Sequence, residues 1–135
     1  MLVLNILLVD DDEEFTNVAC HIIEFLGHDT STASSLEEAY QILEFNDFDH
    51  IFLDFMLPDG SGLHLIDHIN KSNKSPYITL ITGHPLVKGM LSSLCGPKIG
   101  YLGKPLQRDD LEQALSHKTQ KKPSKKKDVQ ARVFN

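Results

Sequence analysis

Two patterns of apolar residues alternate along this chain. Asn5–Val9 (NILLV) is a continuous apolar run that stops at Asp10, as in a strand buried on both faces. Phe15, Val18, Ala19, Ile22, Ile23 and Leu26 then recur at helical spacing, and Gly27 is placed to end that helix. Residues 29–32 predict a short polar strand. Ser34 and Glu37 have capping-box spacing and open a helix whose apolar face is Leu36, Ala39, Tyr40 and Leu43. His50–Asp54 (HIFLD) is a second apolar strand that also ends on an aspartate. Residues 56–62 (MLPDGSG) read as a loop, after which Leu63, Ile66 and Ile69 mark a helix. Tyr77–Thr82 (YITLIT) is a β-branched strand ending on a hydroxyl. Residues 85–94 predict a helix interrupted by Gly89 and closed by Gly96-Pro97. Residues 99–102 predict a strand, and residues 109–117 a last helix with Leu111, Ala114 and Leu115 on one face.

Five strands alternating with helices predict an α/β domain: a parallel sheet with helices on both faces. Such a sheet gathers the C-terminal ends of its strands along one edge, and ligands bind in the crevice outside that edge. Asp10 and Asp11 follow the first strand, Asp54 ends the third, Thr82 ends the fourth and Lys104 follows the fifth. Five residues dispersed over the chain are therefore expected to meet in one cleft. Three carboxylates there repel one another, and a divalent cation relieves the repulsion. Oxygen ligands of this kind suit Mg²⁺. Lys104 offers a point charge to a phosphate, Thr82 offers a hydroxyl donor, and an aspartate can itself be the nucleophile that forms an acyl phosphate.

Charge divides the chain. Residues 1–117 hold 18 acidic and 6 basic residues, whereas residues 118–135 hold 7 basic and 1 acidic. The acidic body argues against nucleic-acid binding through a basic face. The Lys-rich end reads as a basic flexible tail or interdomain linker. At 135 residues the chain fits one domain, 1–117, with that tail. Cys20 and Cys95 are far apart and lack metal-type spacing, so a reducing, cytoplasmic setting is expected. No signal peptide and no membrane-spanning stretch is read.

The runs ILLVDDDEEF, IFLDFMLPDGSGLHLI, ITLITGH and YLGKPL, in this order and spacing across residues 5–117, resemble the motifs of response-regulator receiver domains. The resemblance implies a doubly wound, flavodoxin-like (βα)5 fold with a five-stranded parallel sheet in the order 2-1-3-4-5. It implies two-component signalling, in which a sensor histidine kinase or histidine phosphotransfer protein phosphorylates Asp54 with Mg²⁺ as cofactor. The chain would then be a signalling phosphoacceptor rather than an enzyme acting on other substrates. Carried onto this sequence, Asp11 binds Mg²⁺ directly, Asp10 assists, Asp54 is both ligand and nucleophile, and Met56 offers its backbone carbonyl. Thr82 and Lys104 hold phosphoryl oxygens, Lys104-Pro105 is a cis peptide, and Tyr101 is the aromatic that follows Thr82 inward on switching. A downstream output domain or protein receives the signal, with homodimerisation on phosphorylation as one outcome.

Other residues have plainer readings. Asp12 is expected to cap a helix, and Asp59-Gly60 to form a turn without chemistry. His64 and His68 lie four apart on a helix around Asp67, faintly like a zinc motif, but no third ligand is in place, and a solvated face is expected. Cys20 and Cys95 read as small core residues. An aspartate-nucleophile phosphatase of the haloacid-dehalogenase type needs a second acid two residues after the nucleophile. That position is Met56. The stretch 85–100 departs furthest from the family pattern, and His84 lies where a side chain can influence acyl-phosphate lifetime.

Overall fold

The computed structural model describes residues 2–83 and 99–120, with side chains given as far as residue 116. The expected helix over 85–94, His84, Cys95 and nearly all of the basic tail lie outside the described residues. Five strands, β1 (Asn5–Val9), β2 (Asp29–Ala33), β3 (His50–Asp54), β6 (Tyr77–Thr82) and β7 (Ile99–Gly103), form one parallel sheet in the order β2-β1-β3-β6-β7. This is the 2-1-3-4-5 order, because β4 (Met56–Leu57) and β5 (Gly60–Ser61) form a separate two-residue antiparallel hairpin. The hairpin lies within what the sequence gives as loop. Two-residue strands have no periodicity to detect.

Alternation along the strands sorts the core onto two faces. Leu7, Val9, Ile51, Leu53, Ile78 and Leu80 pack with α2 (Leu36–Phe45) and α3 (Gly62–Asn70). Leu4, Ile6, Leu8, Phe52 and Ile81 pack with α1 (Glu13–Phe25) and α4 (Arg108–Gln120). Strands β1 and β3 are buried on both faces, hence their unbroken apolar runs. At the sheet edge, β2 is mostly exposed, hence its polar sequence. Two polar side chains inside the sheet, His50 and Thr79, bond each other through Nε2···Oγ1 at 2.7 Å.

The helix boundaries depart from expectation in instructive ways. Asp12 caps α1 as expected, accepting the Phe15 amide at 3.1 Å. At the far end the Gly27 amide bonds Glu24 O and the His28 amide bonds Ile23 O, the reverse-turn closure that suits Gly27 at φ 99°. Val18 is 55% exposed rather than core, and Thr16 is buried in its stead, its hydroxyl satisfied by the Glu13 carbonyl at 3.0 Å. Helix α2 is capped one residue later than its sequence suggests, by Ser35, whose Oγ accepts the Glu38 amide. Helix α4 runs to Gln120, three residues past its expected end. Cys20 is only partly buried against the α1/α4 face. No helix among the described residues is long and apolar enough to cross a membrane.

Candidate functional site

Each strand of the sheet delivers its functional residue at the same edge, because the ladders are parallel and in register. β1 pairs with β3 through Val9 and Leu53, β3 with β6 through Asp54 and Ile81, and β6 with β7 through Thr82 and Gly103. The chain leaves β1 at Asp10, which is 4% exposed. Its amide donates to Ala33 O, and its Oδ1 accepts the Asp12 amide at 2.9 Å, so this carboxylate is fixed by the turn that starts α1. Asp11 is exposed beside it, and Asp54 is partly buried. Carboxylate oxygens of Asp10, Asp11 and Asp54 all lie within 4.8 Å of one another. Among the described residues this is the one group of three or more potential ligating side chains. His64 and His68 are both exposed on α3, with the His68 ring against Tyr40 at 4.8 Å.

Lys104 completes the cleft. Its Nζ lies 2.9 Å from Asp10 Oδ2 and 3.5 Å from Asp54 Oδ2, and 4.9 Å over the Phe15 ring. Its amide donates to the Thr82 carbonyl at 2.9 Å, which ties the lysine to the end of β6. The Lys104-Pro105 bond is cis, as the family resemblance implies. Thr82 is 2% exposed at the same edge, and Tyr101 is buried at 8%, its ring packed in the α2/α3 core. The Met56 amide donates to Asp54 Oδ1 at 3.3 Å, while the Met56 side chain is 59% exposed.

Electrostatics follow from this crowding. Burial pushes the Asp54 carboxyl above the usual carboxylate range, and the charge of Asp10 pushes it the same way. Lys104 and the Met56 amide pull it back without cancelling the rise. Burial alone would lower the Lys104 ammonium, but the Asp10 and Asp54 carboxylates outweigh it and hold it above its ordinary value. One buried oxygen, Asp10 Oδ2, has no aligned hydrogen-bond donor, and Lys104 faces it only as an ion-pair partner. Oxygens that share one Mg²⁺ stand about 3 to 4 Å apart, given metal–oxygen distances of about 2.1 Å. Three hard oxygen donors gathered within 4.8 Å of one another fit that ion.

The backbone beneath Asp54 is held by close approach. A Cβ on Gly62 would lie 2.6 Å from the Asp54 carbonyl oxygen, so only glycine fits there, and the Gly62 amide donates to Phe55 O at 2.7 Å. Two contributors were not legible in the sequence. Phe15 lies under Lys104 although the two are far apart along the chain. Asp59, expected to be only a turn residue, accepts two amides of α2 across more than twenty residues, and no local pattern signals that bond.

The chain matches the response regulator receiver domain model over residues 6–116. It is 31% identical over 112 residues to the sensory transduction protein LytR of Staphylococcus epidermidis, covering 82% of this chain and 44% of that protein. It is 29% identical over 111 residues to the alginate biosynthesis transcriptional regulatory protein AlgB of Pseudomonas aeruginosa, covering 82% of this chain and 25% of that protein. The chain thus spans less than half the length of these curated relatives. A response regulator receiver domain protein (CheY-like) from Methanospirillum hungatei superposes with a TM-score of 0.78 at 27% identity, covering 88% of this chain and 95% of the other. Shared fold, a family match across nearly all the described residues, and acidic and basic groups gathered at one sheet edge lead to one conclusion: the chain belongs to the response regulator receiver domain family of two-component signalling.

Proposed function

We propose that this chain is a cytoplasmic phosphoacceptor, that Asp54 takes the phosphoryl group, and that Asp10, Asp11, Asp54 and the Met56 carbonyl hold Mg²⁺. The observation that carries the reading is the meeting of three carboxylates within 4.8 Å of one another with Lys104 at 2.9 and 3.5 Å from two of them. An Asp54 carboxylate oxygen forms a bond to phosphorus as the donor's P–N or P–O bond breaks and the donor leaves with the electron pair. When bound, Mg²⁺ supplies the positive charge that lets carboxylates and phosphoryl oxygens share the cleft. Lys104 binds a phosphoryl oxygen by exchanging one of its carboxylate partners for it, and the Thr82 hydroxyl donates to another. A dianionic group on Asp54 draws Thr82 and Lys104 together and biases the position of Tyr101, which is the output switch.

The donor is a sensor histidine kinase or histidine phosphotransfer protein. Beside the carboxylates lies a groove of about 420 Å³ lined by Phe15, Val18, Lys104, Pro105 and Leu106, and Lys104 belongs to both groove and site. A partner that presents a phosphohistidine to Asp54 covers this groove, which accounts for the exposure of Val18. The body, residues 1–117, acts as the receiver, and residues 118–135 act as a basic linker toward an output domain or protein.

The test is phosphorylation with acetyl phosphate and Mg²⁺, read by intact mass. Wild type gains one phosphoryl group, and Asp54→Asn gains none. No gain in wild type, or an equal gain in the variant, overturns the assignment.

A further inference from the structure

The tip of the β4–β5 hairpin is fastened to a helix that precedes it in sequence. Asp59 Oδ1 accepts the Leu36 amide at 2.8 Å and Oδ2 accepts the Glu37 amide at 3.0 Å, so both carboxylate oxygens are committed to the first two amides of α2. Ser35 Oγ takes the next amide, that of Glu38, at 3.1 Å. The Glu38 carboxylate turns back to the Ser34 amide at 2.6 Å. The first turn of α2 is thus satisfied by a local cap and by a second, tertiary one that comes from the loop following Asp54. These two amides hold the Asp59 carboxyl below the usual carboxylate range, so it stays ionised throughout the neutral region.

The other end of the same segment is fastened to the site. Met56 pairs with Ser61 and Leu57 with Gly60, the Gly62 amide donates to Phe55 O, and Gly62 fits against the Asp54 carbonyl with no room for a side chain. Leu57 is buried in the same apolar cluster as Leu36. The chain from Asp54 to Gly62 therefore has two anchors, the Asp54–Gly62 contact at its base and Asp59 at its tip. The Met56 peptide lies between them, and it already donates to Asp54 Oδ1.

We propose that Asp59 is a positioning residue for the cation-binding loop, holding the Met56 peptide in place relative to Asp54 by pinning the hairpin tip to α2. The proposal rests on the reading above that Asp54 and its loop bind Mg²⁺. It carries a reciprocal consequence: if the pinned hairpin favours Mg²⁺, then Mg²⁺ favours the pinned hairpin, and the first turn of α2 tightens when the ion binds.

The experiment compares the full chain with its Asp59→Ala and Asp59→Asn variants. Mg²⁺ affinity is measured by titration calorimetry, and exchange of the Leu36 and Glu37 amides by NMR with and without Mg²⁺. Asp59→Ala removes both acceptors and is expected to weaken Mg²⁺ binding by about fivefold or more, the usual lower end for coupling between two sites. Asp59→Asn keeps one acceptor and is expected to recover most of that loss. In wild type, Mg²⁺ slows exchange of the two amides, and in Asp59→Ala that response disappears. Wild-type Mg²⁺ affinity in Asp59→Ala, with only faster exchange at Leu36 and Glu37, overturns the proposal and leaves Asp59 a helix cap. If Asp59→Ala does not fold, the wild-type exchange decides: amides indifferent to a bound Mg²⁺ overturn it. Failure of wild type to bind Mg²⁺ is a different result, which removes the functional reading as well as this one.

Discussion

Asp54→Asn should stabilise the metal-free domain, although it deletes a charge that sits 3.5 Å from a lysine. The opposing terms can be sized from the geometry. With an effective dielectric of about 20, the attraction of Lys104 at 3.5 Å is about 4.7 kcal/mol. Repulsion from Asp10, at 4.8 Å or closer, is about 3.5 kcal/mol or more on the same basis. The Coulomb terms nearly cancel, so desolvation decides, and it falls on the charged form alone. The raised proton affinity of Asp54, caused first by burial and next by Asp10, fixes the sign against the carboxylate. Each gain of about 1 kcal/mol by Asp54→Asn in chelator raises Tm by about 3 to 5 °C in a domain of this size. Mg²⁺ reverses the order, since a ligand at a hundredfold excess over its Kd adds about 2.7 kcal/mol to the state that binds it, and the variant forgoes most of that.

The pH dependence follows from the direction of the same shift. Asp54 in the folded chain titrates above its unfolded value. Below the unfolded value the group is protonated in both states, and the metal-free wild type and Asp54→Asn are equally stable. As pH rises toward the folded value the unfolded chain ionises first, wild type loses ground, and the gap becomes constant above that. Calorimetric melts in chelator and in Mg²⁺ from acid to neutral pH read all of this. An Asp54→Asn variant less stable than wild type in chelator at neutral pH would refute the argument, as would an equal response of the two to Mg²⁺.

Three further substitutions test other links. Lys104→Ala should tighten Mg²⁺ binding by titration calorimetry, because a competing cation leaves Asp10 and Asp54, while slowing phosphorylation by acetyl phosphate. It should also cost about 1 to 2 kcal/mol of metal-free stability in urea melts, less than a fully buried pair because Lys104 keeps 25% of its side-chain surface exposed. Gly62→Ala should destabilise by about 1 to 3 kcal/mol in urea melts, since its Cβ meets backbone at 2.6 Å, and should lower Mg²⁺ affinity by displacing Asp54. Leu53→Ala, at a fully buried position one residue from the site, should cost about 2 to 5 kcal/mol by the same melts, and an effect under 1 kcal/mol would contradict the packing described.

What the sequence revealed and what it hid have the same physical origin. Strands β1 and β3 are legible because burial on both faces leaves only apolar residues over Ile6–Val9 and Ile51–Leu53, and the aspartate that follows or ends each marks where the chain reaches the ligand edge. The meeting of Asp10, Asp54, Thr82 and Lys104 at that edge follows from parallel strands alone. The spacing Ser34/Glu37 places the start of α2 one residue early because Ser35/Glu38 has the identical spacing. The choice between them is made by contacts that include Asp59, from a segment more than twenty residues later. Val18 fits the helical repeat of α1, yet its side of the helix looks onto the groove beside Lys104 instead of onto the sheet. Phe15 is partly buried, as its spacing suggests, but its place beneath Lys104 depends on where the turn after β7 falls.

The register of β3 makes its length inviolable in a way that its composition is not. Ile51 and Leu53 look to one pair of helices and Phe52 to the other, so any of the three tolerates another apolar residue of similar volume. A single residue inserted before Leu53 would exchange the two faces and send the acceptor carboxylate to the wrong side of the sheet. Length variation has a harmless outlet at the opposite rim, where residues 71–76 bring the chain from α3 to β6 at the far end of the strands from the acidic cleft. A deep-mutational library that includes indels should therefore show a sharp boundary, permissive at that rim and intolerant throughout His50–Asp54.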